Sequence, residues 1–121
     1  MTSSDLRRIE RIAVYCKEVA GFADRFGNDY KIFSSDGAYF HAVSMCIMQI
    51  GEISTNLSDE FKQATAQEVP WAQIRSMRNM FAHEYIKVDK TIVWSVVTDE
   101  LPALRKFCEK TSQVAHEQPN E

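Results

Sequence analysis

The sequence has 121 residues, of which 45% are hydrophobic and 26% are charged. This balance is typical of a soluble globular protein and excludes an intrinsically disordered chain, and the length is sufficient for one domain, spanning residues 1–121. The formal net charge of −3 argues against a broad basic surface for duplex DNA, although it allows a small basic site.

No apolar run approaches the roughly 20 residues of a membrane span, and charges near the N-terminus interrupt the apolar stretch that a secretory signal needs. We therefore expect a cytoplasmic protein that does not enter a membrane. The three cysteines, Cys16, Cys46 and Cys108, are widely separated and form no CxxC pair. They indicate neither a disulfide framework nor a zinc site, and we interpret them as small core residues of a reduced protein.

The first predicted helix covers residues 5–26, where apolar residues recur every three or four positions. Gly27 and Asn28 suit its end, because both tolerate the left-handed conformation found at helix termini. We expect a loop next. A second helix is predicted over residues 37–57, with a cap supplied by Ser34, Ser35 or Asp36.

Three further helices are predicted in the second half of the chain. Ser58 begins a short one, and Pro70 suits the first turn of a fourth, over residues 70–85, where a missing N–H costs nothing. A fifth helix is predicted over residues 90–114, with Pro102 kinking it or starting a new segment.

The tail from about residue 116 has no periodicity, and we expect it to be disordered. Short connections and the absence of any convincing strand pattern predict an all-α bundle of four to five helices.

The fourth predicted helix carries two kinds of face. At about 100° per residue, its apolar positions form one stripe that should face the bundle, namely Ile74, Met77, Met80 and Phe81. On the other side, Arg78, Ala82 and Tyr85 should form one ridge. Asn79 and His83 should form the ridge beside it. A cation, an amide, an imidazole and a phenol are thus expected around one small residue.

These side chains suit transesterification of RNA, in which a 2′-hydroxyl attacks the adjacent phosphorus. His83 could move protons near neutral pH, and Arg78 could stabilise the charge that builds on the non-bridging oxygens. Asn79 could orient the imidazole or a ligand. This segment lacks the carboxylate cluster that holds Mg²⁺, so we expect no metal. The alternative is a solvated helix face with one histidine near its C-terminus.

The stretch VPWAQIRSMRNMFAHEY, at residues 69–85, resembles the signature of HepT-like proteins, a branch of the HEPN superfamily. QIGEISTNLS, at residues 49–58, and TIVWSVVTDELPAL, at residues 91–104, resemble two further segments of that family in the same order. The core of the match is the motif RNxxxHxY, formed by Arg78, Asn79, His83 and Tyr85.

HepT-like proteins are all-helical toxins of prokaryotic toxin–antitoxin pairs, and their partner is a small nucleotidyltransferase antitoxin of the MntA type. The resemblance implies a HEPN-like homodimer whose two motifs face one cleft and cleave cellular RNA without a metal. It implies that Arg78 and His83 are catalytic and that Asn79 supports them. It also implies that the antitoxin transfers AMP from ATP to Tyr85, so that the chain itself needs no cofactor.

Two other charged residues are candidates for the cleft or for a dimer interface. Glu52 follows Gly51 in a mostly apolar helix, and it could pair with Arg78 or Arg75 across the bundle or the dimer. It could equally be a surface carboxylate. His41 and His116 have no companions at motif spacing, and we assign neither a role.

Residues 75–90 contain an excess of cations, which a two-fold axis would double into one basic groove suited to single-stranded RNA. The four cations are Arg75, Arg78, Lys87 and Lys90. A second function class stays open, namely a non-catalytic module that docks onto the nucleotidyltransferase and is modified by it. A third is a nucleotide-binding adaptor in which His83 never transfers a proton.

Overall fold

The computed structural model describes residues 1–117, and all of the regular elements in that range are helical, which confirms the all-α prediction. A 3₁₀ turn, Tyr85–Lys87, follows the fifth helix, and a π-helical segment, Val96–Glu100, joins the last two. The α-helices are α1 (Ser3–Phe26), α2 (Tyr30–Ser35), α3 (Gly37–Thr55), α4 (Asp59–Thr65), α5 (Trp71–Glu84), α6 (Lys90–Ser95) and α7 (Leu101–Glu117).

The long helices form the bundle, since α1 packs against α3 and α7, and α3 also packs against α5. Their apolar faces meet in one core, and each fully buried large side chain there contributes about 1.5–3 kcal/mol to folding. Examples from three helices are Ile9, Ile12, Val43, Ile50 and Phe81. Over the same residues, 1–117, we find no helix with the length and apolar character required to cross a bilayer.

Asp5 links the first turns of α1 and α4. It forms a capping box with Thr2, whose side chain accepts a hydrogen bond from the Asp5 amide at 2.9 Å. The Asp5 carboxylate also accepts bonds from the amide of Ser58, at 2.8 Å, and from its hydroxyl, at 2.6 Å. Burial alone would raise the pKa of this carboxyl, but the bonds from Ser58 and Thr2 outweigh it and hold the pKa below its usual value.

We expect Asp5→Ala to lower the free energy of unfolding by about 1–3 kcal/mol at pH 7, because the partly buried hydrogen bonds from Thr2 and Ser58 lose their charged acceptor. A depressed pKa in the folded state gives stability that is present above the ordinary pKa of 3.8 and is lost as the pH falls below it. Urea unfolding of the wild type and of Asp5→Ala at pH 7 and pH 3 measures the stability cost of the substitution at each pH. Asp24→Ala, at an exposed position of α1, is the control. An equal cost of the Asp5 change at both pH values would contradict the assignment.

The segment after α1 is a short helix, α2, where the sequence predicted a loop. Asp29 caps this helix, and Phe33 is completely buried at its centre. The Phe33 ring lies 5.1 Å, between centroids, from the rings of both Tyr39 and Trp94. Six residues are too few to show a helical period, and such a helix depends on tertiary packing rather than on its own propensity.

Helix α3 begins after Asp36, one of the three predicted caps, and the carboxylate of Asp36 accepts hydrogen bonds from the amides of Ala38 and Tyr39. It ends at Thr55, two residues earlier than predicted. Ser58 then caps α4 through a bond from the amide of Phe61, as its position in the sequence suggested.

The predicted fifth helix is divided into α6, the π-helical segment and α7. Pro102 is the second residue of α7, so of the two predicted alternatives, a kink or the start of a new segment, the structure has the second. Helix α7 continues to Glu117, so the expected disorder from residue 116 is wrong for the two residues described there. The ring of His116 contacts the Glu10 carboxylate at 2.9 Å, which ties the end of α7 to α1. Residues 118–121 lie outside the described range.

All three cysteines are buried in the bundle, as predicted. Burial raises the pKa of Cys16 and of Cys46 to about 12, and it also raises the pKa of Cys108. These groups are therefore protonated thiols that serve as small apolar side chains.

Candidate functional site

Helix α5 presents its apolar stripe to the bundle, as its periodicity predicted. Pro70 stands at the N-cap, one position before the helix, and Trp71 is anchored by a 2.9 Å bond from its indole N–H to the Thr65 hydroxyl. Met77 and Phe81 are buried, while the other two predicted stripe residues, Ile74 and Met80, are partly buried. The remaining surface of α5 carries the motif residues.

Gly51 allows α3 and α5 to approach closely. A Cβ atom built on Gly51 would lie 2.8 Å from Cγ of Arg78 and nearer still to its Cβ, distances that real side chains do not adopt. Only glycine fits here while α5 keeps its position. As a result, the neighbouring residue, Glu52, lies against the side chain of Arg78.

The guanidinium of Arg78 is held by two side chains. Its Nε donates to Oε1 of Glu52 at 2.5 Å, and its Nη2 forms an ion pair with the same oxygen. Its Nη1 donates to Oδ1 of Asn79 at 2.9 Å. Of the two partners proposed for Glu52, the structure therefore selects Arg78 over Arg75, and the pair forms within one chain.

Arg78 retains donors for a ligand. A guanidinium has five N–H groups, and the contacts seen within residues 1–117 engage three of them. The Arg78 side chain is 37% exposed, so an oxygen of a phosphate can reach the other two. The fixed plane of the guanidinium suits bidentate binding of such a group.

His83 is exposed in the last turn of α5. No other described residue forms a hydrogen bond or ion pair with its ring. Five positions separate His83 from Arg78, which places them about 140° apart around the helix and about 7.5 Å apart along it. Asn79 therefore contacts Arg78 within one chain, whereas regular helix geometry places Arg78 and His83 on different sides of α5.

Tyr85 does not continue the α5 ridge of Arg78. The backbone leaves helical geometry at Glu84, with φ −137° and ψ 42°, and Tyr85 begins the 3₁₀ turn. The half-buried phenol ring lies 5.8 Å from the ring of Phe40 and 6.0 Å from that of Phe81. The projection that placed Tyr85 beside Arg78 assumed a regular helix to residue 85, and it does not apply.

His41 is the neighbour of Tyr85 that the sequence did not reveal. Its Nδ1 lies 2.5 Å from the Tyr85 hydroxyl oxygen, and the two rings stack with an interplanar angle of 11°. The residues are 44 positions apart, on α3 and after α5. No local spacing signals such a contact, so only the tertiary structure could identify it.

The cations near the motif do not form one patch. Arg75 is exposed and, with Lys62, lines an open hollow of about 480 Å³ between α3, α4 and α5, to which Asn79 also contributes. Lys90 contacts α2 instead, where its Nζ donates to the carbonyl of Ser34 at 2.9 Å. The hollow next to Asn79 therefore carries two cations, Arg75 and Lys62, and the Nζ of Lys62 also lies 3.9 Å from the Asp59 carboxylate. Within residues 1–117 no three His, Cys, Asp or Glu side chains cluster as metal ligands.

The sequence profile of a family described as "Ribonuclease HepT-like" matches residues 6–111. The chain is 32% identical to "Probable ribonuclease HepT" of Thermococcus cleftensis, over 67% of this chain and 73% of that protein. It is 34% identical to "Putative RNase TTE0752" of Caldanaerobacter subterraneus subsp. tengcongensis, over 66% and 70%. It is 28% identical to "Putative RNase MJ1380" of Methanocaldococcus jannaschii, over 67% and 73%. No solved structure matches the chain.

Proposed function

Because the chain belongs to the HepT-like ribonuclease family, we propose that it is an endoribonuclease and the toxin of a prokaryotic toxin–antitoxin pair. The observation that supports the chemistry most directly is the Arg78 guanidinium. Glu52 and Asn79 hold it in one orientation at the surface, on the same helix as the exposed imidazole of His83. A fixed cation and an accessible proton carrier are what phosphodiester cleavage by transesterification needs.

The proposed reaction requires no metal ion. A 2′-hydroxyl loses its proton to an imidazole of His83 and attacks the adjacent phosphorus. The bond from phosphorus to the 5′ oxygen breaks, the departing oxygen takes up a proton from a His83 imidazolium, and a 2′,3′-cyclic phosphate is left. The two N–H groups of Arg78 that its neighbours leave available bind the non-bridging oxygens, where negative charge builds in the transition state.

A homodimer would complete this site. Within one chain, Arg78 and His83 diverge by about 140° around α5. A two-fold axis beside α5 would place the imidazole of one copy near the guanidinium of the other, and would form two equivalent centres in one cleft. This divergence, which follows from the geometry of a regular α-helix, is the argument that supports a dimer.

Single-stranded RNA is the proposed substrate. The net charge of −3 provides little general attraction for a duplex, whereas a splayed strand can enter a small basic cleft. The hollow lined by Arg75 and Lys62 shares Asn79 with the Arg78 contact, and it could hold a phosphate next to the one that is cleaved. The RNA substrate also supports the proposed location in the cytoplasm.

We propose that a nucleotidyltransferase antitoxin of the MntA type neutralises the chain by transferring AMP from ATP to Tyr85. The chain itself needs no cofactor for this step. Tyr85 follows His83 by two positions, at the end of α5. An attached AMP would add bulk and a negative phosphate there, and would compete with RNA for the cleft.

Cleavage of total RNA by the purified chain in EDTA tests the nuclease. We expect fragments that end in a 2′,3′-cyclic phosphate. A stable complex with the nucleotidyltransferase and AMP on Tyr85, but no cleavage by clean protein, would favour the non-catalytic module instead. Binding of ATP or AMP by the isolated chain, again without cleavage, would favour the nucleotide-binding adaptor.

Tyr85→Phe should prevent neutralisation while RNA cleavage continues. Phenylalanine keeps the ring that packs on Phe40 and Phe81, but it lacks the oxygen that would accept AMP. Cleavage is measured with and without the antitoxin and ATP, and intact mass reports the modification. A Tyr30→Phe protein, altered at a half-buried tyrosine on α2, is the matched control and should be silenced like the wild type. If the antitoxin still modifies and silences the Tyr85→Phe protein, the assignment of Tyr85 is incorrect.

A further inference from the structure

The contact between His41 and Tyr85 joins a half-buried phenol to an exposed imidazole. The Nδ1 atom lies 2.5 Å from the phenol oxygen, a short hydrogen bond, while the far edge of the imidazole ring can exchange protons with water because His41 is exposed. Phe40 and Phe81 hold the phenol ring from other sides. The hydroxyl of Tyr85 therefore points at a group that can take its proton and pass it to solvent.

We propose that His41 is the general base for Tyr85 when this phenol attacks the α-phosphorus of a nucleoside triphosphate. The inference rests on the modification of Tyr85 under the proposed function. A bond forms between the Tyr85 oxygen and the α-phosphorus, and the bond from that phosphorus to the β-phosphate oxygen breaks. Pyrophosphate leaves with the electron pair, and the phenol proton moves to Nδ1 of His41.

The chemistry of the two groups makes such a base useful. A phenol ordinarily keeps its proton up to about pH 10, so at neutral pH it is a weak nucleophile. An imidazole accepts protons near neutral pH through whichever ring nitrogen has no hydrogen. With the hydrogen on Nε2, Nδ1 accepts the bond from the Tyr85 hydroxyl. The stacked rings keep the two atoms in contact before the nucleotide arrives.

The experiment follows AMP transfer to Tyr85 by mass spectrometry, using the full chain, the nucleotidyltransferase partner and Mg-ATP. His41→Asn keeps an acceptor near the position of Nδ1 but cannot take a proton. We expect it to lower the turnover number for modification by about 10²-fold, with the KM for the chain unchanged. In His41→Ala, added imidazole should restore part of the rate. His116→Asn, the same change on an exposed histidine of α7, should behave as wild type.

The inference is overturned if His41→Asn is modified within three-fold of the wild-type rate (about 0.7 kcal/mol in barrier). It is also overturned if the loss is confined to KM, which would indicate a docking contact, or if imidazole restores nothing to a folded His41→Ala protein. If wild-type Tyr85 receives no AMP, the proposed regulation fails and this inference fails with it. If the wild type is modified and the His41 variants match it, only this inference fails.

Discussion

His83→Ala is expected to eliminate cleavage of RNA in EDTA while the protein stays folded. Loss of a general base or acid typically slows a reaction by about 10²- to 10⁴-fold, and both copies in a dimer would carry the change. The fold should tolerate it, because His83 is exposed and makes no hydrogen bond to any residue of the described part of the chain. Cleavage of total RNA, with thermal unfolding on the same sample, measures both quantities.

His116→Ala is the matched control for this experiment. It removes another exposed imidazole, which pairs with Glu10 at the far end of α7, and we expect it to cleave RNA at the wild-type rate. Because the Glu10 pair is exposed, its loss should change the free energy of unfolding by less than about 1 kcal/mol. Equal cleavage by His83→Ala and the wild type would remove His83 from the mechanism and return it to the solvated-face interpretation.

Gly51→Ala is expected to destabilise the bundle and to impair cleavage together. The added methyl would lie 2.8 Å from Cγ of Arg78, and α5 has to move away from α3 to accept it. Such overpacking costs about 1–3 kcal/mol, although alanine by itself favours a helix over glycine by about 0.5–1 kcal/mol. The displacement also separates Arg78 from Glu52 and so releases the guanidinium from its fixed orientation.

Gly21→Ala is the control, because a Cβ atom at this position of α1 would meet nothing within 4 Å. Gly21→Ala gains the same helix propensity as Gly51→Ala but introduces no clash, so we expect the free energy of unfolding to stay the same or rise slightly. Urea unfolding and RNA cleavage measured on both variants separate the clash from the propensity. If Gly51→Ala were as stable as Gly21→Ala, the close approach of α3 and α5 would not depend on this glycine.

The long helices were predictable because each repeats apolar residues at helical spacing over several turns. Periodicity located α1 and α3 to within a few residues. Among the predicted caps, Asp36 marks the start of α3 and Ser58 the start of α4. Helix α2 was not predicted, because six residues are too few to show a helical period and the helix is stabilised by the burial of Phe33. Only Pro102 indicated the start of α7, because apolar spacing continues through the π-helical segment Val96–Glu100 and does not reveal where α6 ends.

The candidate site was predictable only in part. The motif in α5 was visible as residues on one segment, and Glu52, next to Gly51, was a candidate partner for a cation. Which cation Glu52 binds was open, since Arg75 and Arg78 differ by less than one turn. In the structure, Gly51 packs directly against the side chain of Arg78, and the next residue, Glu52, therefore binds Arg78 rather than Arg75.

By itself, the sequence determined what is local: the helical periods, the helix caps and the family signature with its four motif residues. These depend on neighbours within about one or two turns of the same helix, so the order of residues is enough to reveal them. Only the tertiary structure decided that Tyr85 leaves the face of Arg78 and meets His41. That contact joins residues 44 positions apart, and it depends on how α3 packs against α5 and where the α5 backbone stops being helical.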